Sequence, residues 1–144
     1  MTTVGYRTAL ALLLLLPSLA VTADYAPAKV VYDLTGESPE VITQVLDRVS
    51  LLQNLYHNNS FDASIVVIIH EAAIPFFTTG ERHKALRQRA KDLAMGEVIQ
   101  FRLCLASAKM QGFTPKDFDR WVQLVPMADA EIIKLQHAGY AYIK

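Results

Sequence analysis

The stretch ASIVVIIH (63–70) is apolar on both of its alternating faces. A strand that can show water neither face belongs in the middle of a parallel sheet, with helices on both sides. The chain on either side of it fits that placement. Upstream, KVVYDL (29–34) reads as a β-branched strand and TGESPE (35–40) as its turn. Ser38 suits an N-cap and Pro39 the first helical position. The helix that follows carries Val41, Val45, Val49, Leu52 and Tyr56 at helical spacing, with Ile42 and Leu46 beside them, and HNNS (57–60) ends it.

Downstream, EAAIPFF (71–77) is a connector. Thr78 and Glu81 have capping-box spacing and predict a helix from there to about Met95, stopped by Gly96. EVIQFRLC (97–104) is a third strand, and Leu105–Gln111 a short helix closed by Gly112. Thr114 and Pro115 open another helix, to about Arg120. WVQLVP (121–126) is a fourth strand, Ala128–Ala138 a helix stopped by Gly139, and YAYIK (140–144) a last short strand. This alternation predicts an α/β protein: a three-layer α/β/α sandwich around a mostly parallel sheet of about five strands.

The third strand breaks the apolar pattern. Ile99, Phe101 and Leu103 share one face; Val98, Gln100, Arg102 and Cys104 share the other. Gln and Arg in one row imply that this face meets a cleft, a subunit interface or solvent. Cys104 stands at the C-terminal end of that row, and in open α/β sheets ligands bind at the C-terminal ends of the strands.

The first residues read as a targeting segment. Arg7 gives a positive start, Ala9–Leu16 is an unbroken apolar run, and Val21–Ala23 is a small-x-small site with cleavage before Asp24; Ala20 ends a second such site. The run is shorter than the roughly 20 residues of a spanning helix. Residues 1–23 are therefore expected to be a secretory signal peptide, and 24–144 a single periplasmic domain with no membrane attachment after cleavage. The whole chain holds 14 basic and 14 acidic residues. That balance gives no support to nucleic-acid binding.

The chain holds one cysteine, so it forms no internal disulfide. At a helix N-terminus the Cys104 sulfur meets free backbone N–H groups, and Arg102 lies two residues back on the same face; both favour the thiolate. The plain alternative is a buried cysteine acting as a small hydrophobe. His70 ends the second strand. If the second and third strands are neighbours, His70 and Cys104 sit on adjacent strand ends, as a Cys–His pair or with His70 as a merely polar cap. His57, His83 and His137 are scattered, no HxxxH occurs, and no metal site is expected. No glycine-rich nucleotide loop is present and no cofactor is expected. ERHKALRQRAK (81–91) reads as a solvated basic face. Trp121 and the Tyr140/Tyr142 pair read as core or interface, and Ser107 lacks partners for a hydrolase triad.

Three stretches together resemble the DsrE/DsrF-like family of sulfur-relay proteins. They are KVVYDLTGESPEVITQVLDRVSLLQNLY (29–56), VIQFRLCLASAKMQGFTPKDF (98–118) and VPMADAEIIKLQHAGYAYIK (125–144). In the last, LQ-x-x-GYAYIK is the most specific piece. The resemblance implies a parallel-sheet sandwich and a homo-oligomer, a trimer or a multiple of one. It also implies a persulfide-carrying cysteine after the third strand, where Cys104 stands, and a histidine ending the second, where His70 stands. The chain departs from the pattern at Glu71, in place of a glycine, and at Leu105, where small or polar residues are usual. The function implied is a periplasmic sulfur carrier or sulfurtransferase, taking sulfane sulfur from a donor protein onto Cys104 and passing it to an acceptor thiol. Arg102 would stabilise the anion and His70 would shuttle the proton. The alternatives are a non-catalytic oligomeric binding module with a structural cysteine, and a thiol redox sensor.

Overall fold

The computed structural model describes Met1 and residues 25–144, so the signal-peptide segment lies, Met1 apart, outside the described residues. The first strand, β1 (Ala28–Leu34), leads into helix α1 (Pro39–Leu55). Ser38 caps α1 with its hydroxyl, which accepts the Val41 N–H, and Pro39 opens it. The inward face of α1 is Ile42, Leu46, Val49 and Gln53; Val41 is exposed, so the core stripe centres on Ile42 and Leu46 and takes only Val49 from the row of valines. Gln53 is tolerated inside because its amide donates to Asn58 Oδ1 at 2.6 Å. Each fully buried aliphatic side chain contributes about 1.5–3 kcal/mol. Leu46→Ala would therefore cost about 2–5 kcal/mol.

Strand β2 (Ala63–Ile69) is buried at every position except Ser64. A 3₁₀ segment (Glu71–Phe77) follows it, then α2 (Lys84–Ala94), β3 (Ile99–Cys104), α3 (Leu105–Met110), a 3₁₀ turn (Pro115–Asp117), β4 (Gln123–Val125), α4 (Ala128–His137) and β5 (Ala141–Ile143). The sheet has the order β4-β3-β2-β1-β5, and every pairing is parallel. The doubly apolar β2 is its central strand.

Two boundaries differ from the sequence reading. Thr78 does not cap α2. Its hydroxyl donates to the Pro75 carbonyl at 2.9 Å, its backbone bridges Phe118, and Thr79 N–H bonds the Asp117 carbonyl. Arg87 then reaches back to the carbonyls of Thr78 and Gly80. These tertiary bonds hold Thr78 extended, and the helix, capped at His83, starts five residues later than the capping-box spacing predicts. The segment opened by Thr114 and Pro115 makes only a 3₁₀ turn, closed by a Thr114–Asp117 capping box.

The helices divide between the two faces of the sheet. α1, α2 and α3 pack Ile42, Leu46, Val49, Ala90 and Ala108 into the larger core, with Ile99, Phe101 and Leu103 of β3. Among the described residues α4 is the one helix on the other face, where Ala128, Ile132 and Leu135 meet Val31, Val66, Ile68 and Cys104. Val98 lies outside the strand and joins the larger core, so it leaves the row of Gln100, Arg102 and Cys104.

Candidate functional site

Because β2 pairs with β3, with Ile69 opposite Leu103, His70 and Cys104 stand at the ends of adjacent strands. The next pair of strands decides what surrounds them. After β3 the chain turns to one face of the sheet through α3; after β4 it turns to the other through α4. Neighbouring strands whose helices diverge in this way open a crevice at their C-terminal ends. Cys104 sits in that crevice.

The crevice is narrow. Cys104 is the N-cap of α3 and its sulfur accepts the Ser107 N–H at 3.4 Å. It also accepts the N–H of Ala128, the first residue of α4, at 3.3 Å. The Ala106 N–H bonds the Pro126 carbonyl, which ties the two turns together. Two helix starts thus aim backbone donors at one sulfur. They also close over it: Cys104 is 2% exposed, where its strand-end position predicts an open thiol.

A cavity of about 140 Å³ adjoins the sulfur, lined by His70, Glu71, Cys104, Ser107, Met110 and Met127 among others. His70 is held from behind. Its Nε2 lies 2.5 Å from Asp33 Oδ1, both side chains being nearly buried. The second Asp33 oxygen accepts the Tyr142 hydroxyl. That bond to the carboxylate raises the Tyr142 phenol to about 12, with lesser contributions from burial and the charges of Asp33 and Asp129. Glu71, next to His70, has φ +50, a conformation that glycine adopts freely and glutamate does not.

Arg102 does not line this cavity. Its guanidinium pairs with Glu131 of α4 and donates to Gln100 Oε1 at 2.7 Å. The structure thus brings Cys104 and His70 together and turns Arg102 toward the helix covering its face. A larger hollow, about 760 Å³, opens at the head of α2 beside Glu81, Arg82 and Lys84, but no thiol or hydroxyl lines it. Among the described residues no group of three or more His, Cys, Asp or Glu side chains is placed to hold a metal, and no helix is long and apolar enough to cross a membrane.

The DsrE/DsrF-like family model matches residues 45–144, a span holding His70, Cys104 and Tyr142. The chain belongs to that family. The family is associated with sulfur relay. Among solved structures, a protein of unknown function from Methanobacterium thermoautotrophicum is similar, with a TM-score of 0.63 and 19% identity over 81% of this chain and 97% of that one. At that identity the likeness concerns the fold. No curated protein matches the chain.

The sequence reading passed over Asp33, and it assigned Tyr142 to core or interface without its tie to Asp33. Asp33 could have been found by the reasoning that singled out Arg102: it is a charge that follows the apolar run Val30–Tyr32, one residue from the strand's C-terminal end. Tyr142 carries no such mark, because its role depends on β5 pairing beside β1, with Tyr142 opposite Val31.

Proposed function

We propose that this family member is a sulfur carrier that holds sulfane sulfur as a persulfide on Cys104 and passes it to an acceptor thiol. The observation that carries the reading is the pair of backbone N–H groups directed at the Cys104 sulfur beside a cavity shared with His70. A donor persulfide R–S–SH places its outer sulfur against the Cys104 thiolate. A new S–S bond forms, the donor S–S bond breaks, and R–S⁻ leaves. The thiol proton ends on the leaving sulfur, so the exchange gives Cys104–S–SH and R–SH with no net oxidation. His70 is the group placed to carry that proton. Mass spectrometry of protein purified from its native host tests this: sulfur-atom increments on the peptide holding Cys104 support it. A Cys104 that stays unmodified after incubation with a persulfide donor removes it.

The near-complete burial of Cys104 favours a second reading, a binding module in which the cysteine is structural. Alkylation separates the two. A carrier's thiol reacts in the folded protein, whereas a structural one reacts only on unfolding.

The same proposal places the protein in the periplasm after removal of residues 1–23, and N-terminal sequencing of the exported chain should begin at Asp24. It also makes the protein a homo-oligomer, a trimer or a multiple of one. Support for assembly comes from the β3 row on the sheet face that α4 covers, where Gln100 remains exposed, and from exposed apolar side chains such as Leu51 and Phe61. Light scattering that finds a monomer at micromolar concentration would remove the oligomer.

A further inference from the structure

We infer that Asp33 and Tyr142 are positioning residues that fix the tautomer and orientation of His70 toward Cys104, an assignment that rests on the sulfur-carrier reading. Three strands converge on one carboxylate. Asp33 stands near the end of β1, His70 just past the end of β2, and Tyr142 in the middle of β5. Asp33 accepts from both neighbours, one on each carboxylate oxygen. The polarity of the chain is set by chemistry. A carboxylate only accepts, so the hydroxyl of Tyr142 must donate and Nε2 of His70 must carry its proton. The neutral ring then has its lone pair on Nδ1, the nitrogen Asp33 does not occupy. His70 lines the same cavity as Cys104, so this ring is set to take a proton there rather than to give one.

The backbone holds the same arrangement. His70 N–H bonds the Leu34 carbonyl at 3.1 Å, which locks the histidine to the residue after Asp33. Tyr142 sits in a strand that β1 alone holds in the sheet. The residue is 41% exposed, so packing explains little of its position, while its hydroxyl completes the carboxylate's partners. In the transfer step the Cys104 thiol proton passes to Nδ1, the sulfur attacks the outer sulfur of R–S–SH, and the imidazolium returns the proton to R–S⁻. Asp33 stabilises the imidazolium without taking its proton.

The test uses the mature protein and glutathione persulfide as donor. Heteronuclear NMR of the imidazole nitrogens should show His70 protonated on Nε2, with a downfield, slowly exchanging proton that Asp33→Asn abolishes and Tyr142→Phe shifts. Loading of Cys104 should slow on the order of tenfold or more in Asp33→Asn, in line with the contribution of a positioned proton carrier. Tyr142→Phe should slow it less. Asp33→Asn should add nothing in a His70→Ala background, because residues acting through one group are not additive. A wild-type ring protonated on Nδ1, or Asp33→Asn loading at the wild-type rate while folded, overturns the assignment and leaves the carrier reading standing. If wild-type Cys104 takes no sulfur at all, the carrier reading fails, and the role proposed for Asp33 and Tyr142 fails with it.

Discussion

The Ala128 N–H donates to the Cys104 sulfur across 3.3 Å, and this one contact joins the helix on one face of the sheet to the strand that feeds the helix on the other. Sulfur is a weak acceptor, but the N–H groups it satisfies belong to helix starts, where donors lack backbone partners. Cys104→Ala strands both the Ala128 and the Ser107 donor and should cost about 1–2 kcal/mol. Cys104→Ser keeps an acceptor in place and should cost less. Thermal melting of the two variants checks this, and equal losses would mean that the two N–H contacts contribute nothing.

Arg102 and Glu131 form a pair whose side chains are only 13% and 10% exposed, with Arg102 Nε buried and unpartnered. Removing one member of such a pair leaves a charge without compensation, so Glu131→Ala should cost about 3–5 kcal/mol. Replacing both residues by methionine should recover most of that loss. Arg102→Ala should lower the melting temperature far more than it changes the alkylation rate of Cys104. A large change in alkylation with little loss of stability would return Arg102 to the anion-stabilising role its place in the sequence suggests.

The sheet was legible because β2, apolar on both faces at six of its seven residues, needs neighbours on both sides. The alternation within β3 likewise marked Cys104 and the polar row beneath it. What could not be read depends on partners far away in sequence. Thr78 and Glu81 satisfy the spacing of a capping box, yet Asp117 and Phe118 claim the backbone around Thr78. The basic run at 81–91 reads as solvated, yet Arg87 is nearly buried against Asp119 at 3.0 Å. Alternation placed the Cys104 side chain correctly but said nothing of α4, which buries it.

Tyr142 should ionise later than an ordinary tyrosine. Its bond to Asp33 lifts the phenol from the ordinary 10.0 to about 12. Between those values the folded protein keeps a proton that the unfolded chain releases. The contribution is thus fully present below pH 10 and is lost as pH rises toward 12. Burial also raises the Tyr32 phenol, so ultraviolet titration should show late ionisation at both tyrosines, and Asp33→Asn should bring only Tyr142 back toward the ordinary range. A Tyr142 that ionises with the exposed tyrosines would show that the bond to Asp33 is absent in solution.

Glu71 is held at φ +50 at the head of the 3₁₀ segment, with its carbonyl accepting the Gln111 amide at 2.7 Å. A non-glycine residue in this region costs on the order of 1–3 kcal/mol, and such strain collects at functional sites. Glycine relieves the strain but brings about 0.5–1 kcal/mol of extra chain entropy to the unfolded state. Glu71→Gly should therefore leave the melting temperature unchanged or raise it slightly. Valine, branched at Cβ, tolerates positive φ worst, so Glu71→Val should destabilise by about 1–2 kcal/mol. The Gln111 contact uses only the Glu71 backbone, so all three residues can keep it and the comparison isolates the torsion. If Glu71→Gly melts below Glu71→Val, the side chain of Glu71 makes a stabilising contact that outweighs its strained backbone.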